Sequence, residues 1–265
     1  MISAAFIAHW RSVVPWATDH HVEHDLVICR VLVDLFSDAS LARALAFRGG
    51  TAIHKLLLAS PLRFSDDIDL VQMAAGPIGD IMKALRQRLD PLLGESTFER
   101  GKISHTAVYR FESEIPPVQP LRLKIEINTR EHFSVLGLQT RPFSVDSPWI
   151  SRTADVVTFQ PAELLATKLR ALYQRSKGRE LFDLALAIQR DLADPDDVIR
   201  CCLEYLRIGH TPITQRQFAR NLRAKIGRAE FRGDILPLLA PGTTFDADAA
   251  FDRVMRNFVD RWPVR

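Results

Sequence analysis

Cysteine is scarce in this 265-residue chain, which carries only Cys29, Cys201 and Cys202. They fall in no Cys-x-x-Cys or other zinc-ligand spacing, so a zinc ribbon or finger is excluded, and the adjacent Cys201-Cys202 read as reduced residues at successive helix positions. Long apolar runs are missing too. No stretch approaches the ~20 apolar residues that span a bilayer, and the N-terminus lacks a secretory-leader pattern; the expectation is a cytoplasmic protein with no membrane partner. Strong net charge is absent: the balance is +3, which rules out an indiscriminate polyanion binder. Internal repeats and low-complexity segments are lacking, and Trp10, Trp16, Trp149 and Trp262 are scattered without forming a stacking platform. What remains is ordinary for a globular protein, 47% hydrophobic and 25% charged, with enough apolar content for one large domain or two modest ones.

The informative stretch is Phe47-Arg48-Gly49-Gly50-Thr51, followed by Arg63-Phe64-Ser65-Asp66-Asp67-Ile68-Asp69-Leu70. A Gly-Gly turn opens a short helix, with Thr51 expected as its N-cap and Pro61 as its stop. An Asp-x-Asp pair then lands on a strand. Side chains alternate faces there, so Asp67 and Asp69 point one way while Ile68 and Leu70 point into the core. Two neighbouring carboxylates repel unless a cation lies between them, and magnesium is typically held by one or two carboxylates plus substrate phosphates. Gly49 and Gly50 offer backbone N–H groups at a helix N-terminus, where phosphate binds well. Arg63 can grip a triphosphate through its guanidinium fork, and Ser65 shares a strand face with Asp67. Lys55 can reach phosphate or face water, and Arg48 is left without a role.

A third carboxylate comes from Leu121-Arg122-Leu123-Lys124-Ile125-Glu126-Ile127-Asn128, which alternates apolar and polar residues as a half-buried strand does. Beside the Asp-x-Asp strand it would aim Glu126 at the same metal; alone, Glu126 reads equally as part of a solvated charged face. Three carboxylates around two metals stabilise the attacking and leaving oxygens of an in-line displacement. The chemistry indicated is nucleotidyl or phosphoryl transfer.

Taken together, these blocks resemble the nucleotidyltransferase superfamily related to DNA polymerase beta. Within it the fuller text looks like the AbiEii-type toxin family of bacterial toxin–antitoxin and phage-resistance systems, which includes the mycobacterial MenT toxins. A second block fits the same family: Pro161-Ala162-Glu163-Leu164-Leu165-Ala166-Thr167-Lys168-Leu169-Arg170-Ala171-Leu172-Tyr173, then Gly178-Arg179-Glu180-Leu181-Phe182-Asp183-Leu184. The family commonly reads Arg-Asp where this chain has Arg179-Glu180. The resemblance covers residues from about 25 to 190. On helical spacing alone, Lys168 reads as a snorkelling side chain and Asp183 as a surface acid. The resemblance implies instead that Lys168 neutralises triphosphate charge and that Asp183 orients that lysine or a substrate hydroxyl. It also implies a functional serine at Ser65, catalytic and metal roles for Asp67, Asp69 and Glu126, and a two-metal magnesium site with manganese as the alternative. The implied partners are a nucleoside triphosphate, an RNA acceptor at the tRNA 3′ end, and a cognate antitoxin, with translation arrested by the added nucleotide.

Between Arg207 and Arg232 basic residues outnumber the single acid Glu230. Arg216, Arg220 and Arg223 share one helix face, with Phe218, Leu222 and Ile226 on another; the basic face is either simply solvated or the place where RNA phosphates bind. His20 and His24 stand at i, i+4, a spacing that can bind zinc but that lacks further ligands, so they read as surface histidines, and His54 reads as packed or solvated.

The expected fold class is α/β (α+β): a mixed-sheet nucleotidyltransferase core with N-terminal helices over residues 1–150, then a helical domain over 151–265. Helical spacing covers Ala39 to Phe47 and a helix runs through Ile78 to Leu93. Strands fall near Ile68, Ala107 to Phe111 and 121–128, and Pro142 to Pro148 reads as a connector, either plain or holding a short strand or edge segment. Competing functions are a nucleotidyltransferase acting on a small molecule or a protein, or a non-catalytic nucleotide-binding module.

Overall fold

The computed structural model describes residues 2–263. The described residues up to Phe133, with Leu138–Phe159, form one compact unit; Ser134–Gly137, with the described residues from Gln160 onward, form a second. Strand Ile150–Phe159 therefore belongs to the first unit, so the division falls later than residue 150, and the short segment Ser134–Gly137 belongs to the second.

In the first unit, among the described residues, seven strands form one mixed sheet in the order β3-β4-β5-β2-β1-β7-β6. They are β1 (Leu45–Arg48), β2 (Asp67–Gln72), β3 (Thr97–Arg100), β4 (Ser104–Glu112), β5 (Pro120–Asn128), β6 (Leu138–Ser147) and β7 (Ile150–Phe159). The helices are α1 (Ala4–Arg11), α2 (Asp19–Phe36), α3 (Ala39–Ala44), α4 (Gly49–Leu56) and α5 (Gly79–Leu93). Helix α2, nearly all of it buried, packs against β7, β6 and α5. The mixed-sheet α/β class expected from the sequence is what the chain adopts.

The central strand β2 pairs antiparallel with β1 and parallel with β5. Its register is set by alternation: Ile68, Leu70, Ile125 and Ile127 are 0–1% exposed, while Asp67, Asp69 and Glu126 are half-buried. Burying each of those apolar side chains stabilises by roughly 1.5–3 kcal/mol, and a one-residue slip would exchange them for the acids.

Three local expectations are corrected. Residues Leu45–Arg48 form strand β1, because the helical spacing that begins at Ala39 ends at Ala44 and the following Leu45, Ala46 and Phe47 are buried in the sheet. Pro142 to Pro148 is not a plain connector but, as the alternative reading had it, an edge segment, and a long one: β6 and β7 form an antiparallel hairpin through this region, stabilised by cross-strand pairs such as Ser144 with Thr153. Thr51 lies inside α4 and does not cap it; the N-cap is Arg48, which makes no side-chain capping bond, and the helix ends at Leu56, well before Pro61.

In the second unit the described α-helices are α6 (Pro161–Gln174), α7 (Gly178–Gln189), α8 (Pro195–Ile208), α9 (Gln215–Ile226), α10 (Ala229–Gly233) and α11 (Ala247–Val254), with a 3-10 turn at Leu236–Leu238 and a π-helical turn at Met255–Val259. Pro161 and Pro195 occupy the first helical positions of α6 and α8, where a missing N–H costs nothing. Glu163, 0% exposed, ties α6 in place: its carboxylate accepts from Ser134 Oγ (2.7 Å), Val135 N (2.7 Å), Leu136 N (2.9 Å) and Tyr205 Oη (2.8 Å). A buried carboxylate with this many donors is satisfied and needs no ion-pair partner.

Candidate active site

In the parallel β2–β5 pair Asp69 stands opposite Glu126 and Asp67 opposite Lys124. Because side chains repeat every second residue, Asp67, Asp69 and Glu126 all project from one face of the sheet. On the other flank of β2, Arg48 is the register partner of Asp69, and the chain turns at Gly49 directly over that aspartate. A Cβ built on Gly49 overlaps Asp69 Oδ2 and comes within 2.9 Å of its Cβ, and the φ of +84° belongs to the left-handed region that favours glycine. Three adjacent strands thus place two aspartates, a glutamate and the Gly49-Gly50 turn in one neighbourhood.

Hydrogen bonds fasten the turn to the acidic strand. Thr51 Oγ1 donates to the Asp67 carbonyl at 2.5 Å and lies 2.7 Å from Ser65 Oγ. Deeper in α4, Lys55 does not reach toward phosphate: its Nζ is 2.5 Å from Asp25 Oδ2 on α2, and both residues are largely buried. Burial alone would lower the Lys55 amine, but the Asp25 carboxylate overrides it and holds the lysine above its usual range. Asp25 also accepts from Trp10 Nε1 at 3.0 Å. Arg48 pairs with Glu131 at 2.5 Å.

Arg63 sits just before the strand but is 3% exposed, with its guanidinium donating to the Phe64 carbonyl at 2.9 Å. Phe64 is held in an aromatic cage, stacked on His21 at 4.2 Å and edge-on to Trp16 at 5.6 Å. His24, read from sequence as a surface histidine, is instead buried at 6% exposure near the same ring, and burial pulls its pKa down to about 4.

The donor set of Asp67, Asp69 and Glu126 is all carboxylate oxygen, which fits magnesium or manganese and not a soft metal. Among the described residues no three His, Cys, Asp or Glu side chains close into a ready-made metal cage. A magnesium ion that shares its shell with substrate phosphates uses one or two protein carboxylates and does not require one.

The second unit holds its own charged cluster. Lys168 on α6, 8% exposed, lies 2.7 Å from Glu180 Oε2 and 2.9 Å from Asp183 Oδ2. Glu180 and Asp183 stand at i, i+3 on α7, so they share a face. Lys168 is therefore no snorkelling surface lysine, and Asp183, 1% exposed, is no surface acid. Sequence reasoning gave Glu180 no role beyond its departure from the family text; its i, i+3 spacing from Asp183 was the available signal. The approach of α7 depends on Gly178, where a Cβ would overlap the Phe231 carbonyl. Arg216, Arg220 and Arg223 are exposed on α9. The candidate residues thus fall into separate groups: Gly49, Gly50, Thr51, Arg63, Ser65, Asp67, Asp69 and Glu126 in the first unit, and Lys168, Asp183 and the arginines in the second.

Comparison with known proteins agrees with this reading of the fold. The family described as nucleotidyl transferase AbiEii toxin, Type IV TA system, matches residues 30–257. Among solved structures, the nucleotidyltransferase toxin MenT4 of Mycobacterium tuberculosis superposes with a TM-score of 0.65 at 18% identity, over 99% of this chain and 91% of its own. JHP933 of Helicobacter pylori gives 0.56 at 13% identity, over 91% and 90%. At such identities the likeness concerns the fold alone. No curated protein matches the sequence. No described helix is long and apolar enough to cross a membrane.

Proposed function

This chain belongs to the AbiEii nucleotidyl transferase toxin family of type IV toxin–antitoxin systems, and from that premise we propose that it transfers a nucleoside monophosphate from a nucleoside triphosphate to an RNA acceptor. The observation that carries the proposal is the register of Asp69 against Glu126, with Asp67 on the same face and the Gly49 turn above.

Asp67 and Asp69 would hold magnesium, which, when bound, draws charge from the triphosphate and organises its phosphates for in-line attack. The acceptor hydroxyl oxygen bonds to the α-phosphorus, the bond to the bridging oxygen breaks, and pyrophosphate leaves with that electron pair. Glu126 helps activate the acceptor by taking up the hydroxyl proton. The first turn of α4 at Gly49-Gly50-Thr51 carries no side-chain cap from Arg48 and offers backbone N–H groups to the phosphates. Ser65 lies beside them, bonded to Thr51. Arg63, held in the segment before β2, and Lys168, with Glu180 and Asp183 fixing its ammonium, are assigned to triphosphate charge.

The acceptor end we assign is the 3′ end of tRNA, where an added nucleotide blocks aminoacylation and arrests translation in the cytoplasm until the antitoxin counteracts it. Incubating the protein with each labelled triphosphate, magnesium and total cellular RNA tests this. Label in the tRNA band with wild type and none with Asp69→Ala is the expected result; label on protein or on a small molecule would redirect the reading to the corresponding acceptor class.

A further inference from the structure

Arg216, Arg220 and Arg223 stand at i, i+4 and i+7 of α9, on one face of the helix. All three are exposed, and among the described residues none is engaged in an ion pair or hydrogen bond. Like charges at this spacing destabilise a helix, and here no acid on α9 offsets them.

The helix cannot turn the arginines away. On its other face Phe218 and Leu222 are 1% and 0% exposed, and Phe218 packs edge-on against Tyr173 and Trp262, each at 5.4 Å. Thr214 and Gln217 close a capping box at its start. Near its end Lys225, 6% exposed, donates to the Leu172 carbonyl and to that of Tyr173 at 2.7 Å. The three guanidinium groups are thus presented by a fixed scaffold, and together they line a groove of about 460 Å³.

The remaining walls are Gln215, Ala219 and Asp260. The Gln215 amide is already committed to the Asp260 carbonyl at 3.0 Å. Three cations against one carboxylate leave an excess of positive charge. Among the described residues no aromatic side chain lines the groove, so it offers guanidinium forks for phosphate oxygens and no platform for a base.

We propose that this groove docks the phosphate backbone of the RNA acceptor, without reading its sequence; the proposal rests on the RNA reading given above. The test is fluorescence anisotropy with a labelled single-stranded RNA, titrated between 50 and 200 mM salt. Each phosphate contact contributes about 0.7 to the slope of log affinity against log salt for a single strand, so the Arg216→Gln/Arg220→Gln/Arg223→Gln variant should lose about two units of slope, and its affinity deficit against wild type should widen on the order of tenfold between 200 and 50 mM salt. Each single substitution should lose about one third of that slope change, which keeps the test open should the triple variant misfold. Asp260→Asn should bind about twofold tighter, because the groove then loses the one carboxylate among its described lining residues. Arg11→Gln, whose charge is engaged with Asp19, should bind as wild type does.

An unchanged slope in the arginine variants, an equal loss in Arg11→Gln, or tighter binding of polyglutamate than of RNA would overturn the proposal, the last pointing to an acidic protein as occupant. The two readings separate cleanly. Nucleotide transfer to RNA that survives the triple substitution at all salt concentrations sinks the groove and leaves the acceptor. Groove-dependent RNA binding without transfer to any RNA sinks the acceptor and leaves the groove as an RNA-binding surface.

Discussion

Gly49 and Asp69 are packed so closely that no side chain fits between them: a Cβ on Gly49 would overlap Asp69 Oδ2 and stand 2.8 Å from its Cγ. The Gly-Gly text therefore does more than expose backbone N–H groups, since it lets the chain pass over an acidic side chain at the centre of the sheet. Gly49→Ala should lower nucleotide transfer by about a hundredfold, the usual result of an ångström-scale displacement at a reacting centre, and cost about 1–3 kcal/mol of stability through backbone strain. Gly76→Ala, where a Cβ meets nothing within 4 Å, is the control and should change neither. Steady-state kinetics and thermal melting on both variants decide the point.

Glu126 and Asp69 are register partners, and both belong to the proposed reaction centre. Glu126→Gln preserves shape and removes the proton acceptor; transfer should fall by about 10²–10⁴-fold with the melting temperature little changed. If Glu126→Gln transfers at the wild-type rate, Glu126 is a solvated surface acid, the other reading its strand allowed.

Lys168 is shared by Glu180 and Asp183 inside the second unit. Lys168→Ala should cost about 3–5 kcal/mol in urea denaturation, because it removes a buried cation that two buried carboxylates share. Combining Lys168→Met with Glu180→Gln and Asp183→Asn should restore much of that stability, since it removes the two buried carboxylate charges together with the ammonium that faces them. Transfer should stay lost in the combined variant. Recovery of activity along with stability would make the cluster purely structural.

His24 supplies a pH dependence. Its folded pKa of about 4 lies below the ordinary 6.5, chiefly through burial, which outweighs the nearby Asp66 and Asp25 carboxylates. Between those values the unfolded chain binds more protons than the folded one, so stability is fully present above pH 6.5 and declines as pH falls toward 4. The loss attributable to this residue is about 3 kcal/mol. Thermal melts over that range should show a shallower decline for His24→Leu than for wild type; parallel curves would assign the acid sensitivity to other groups.

Period-two alternation made β2 and β5 legible, and with them the shared face of Asp67, Asp69 and Glu126, because one side of each strand had to be apolar. Strand β1 was hidden because a short apolar run following a helix carries no period of its own. The β6–β7 hairpin was obscured by Pro142 and Pro148, which sit at an outer strand and at the turn beside it, where proline is tolerated. Helical spacing located α6 and α7, but not the burial of Lys168, since a lysine at the edge of an apolar stripe looks the same whether it snorkels or pairs. Lys55 illustrates the same limit: its partner Asp25 lies thirty positions away on α2.

Single-turnover release of pyrophosphate, followed with total RNA, magnesium and each nucleoside triphosphate in turn, tests the central claim most directly. Wild type should release one equivalent and place one nucleotide on the acceptor, while Asp67→Asn, Asp69→Asn and Glu126→Gln should each be slower by at least about a hundredfold. Wild-type release rates in the Asp69→Asn protein would contradict the account.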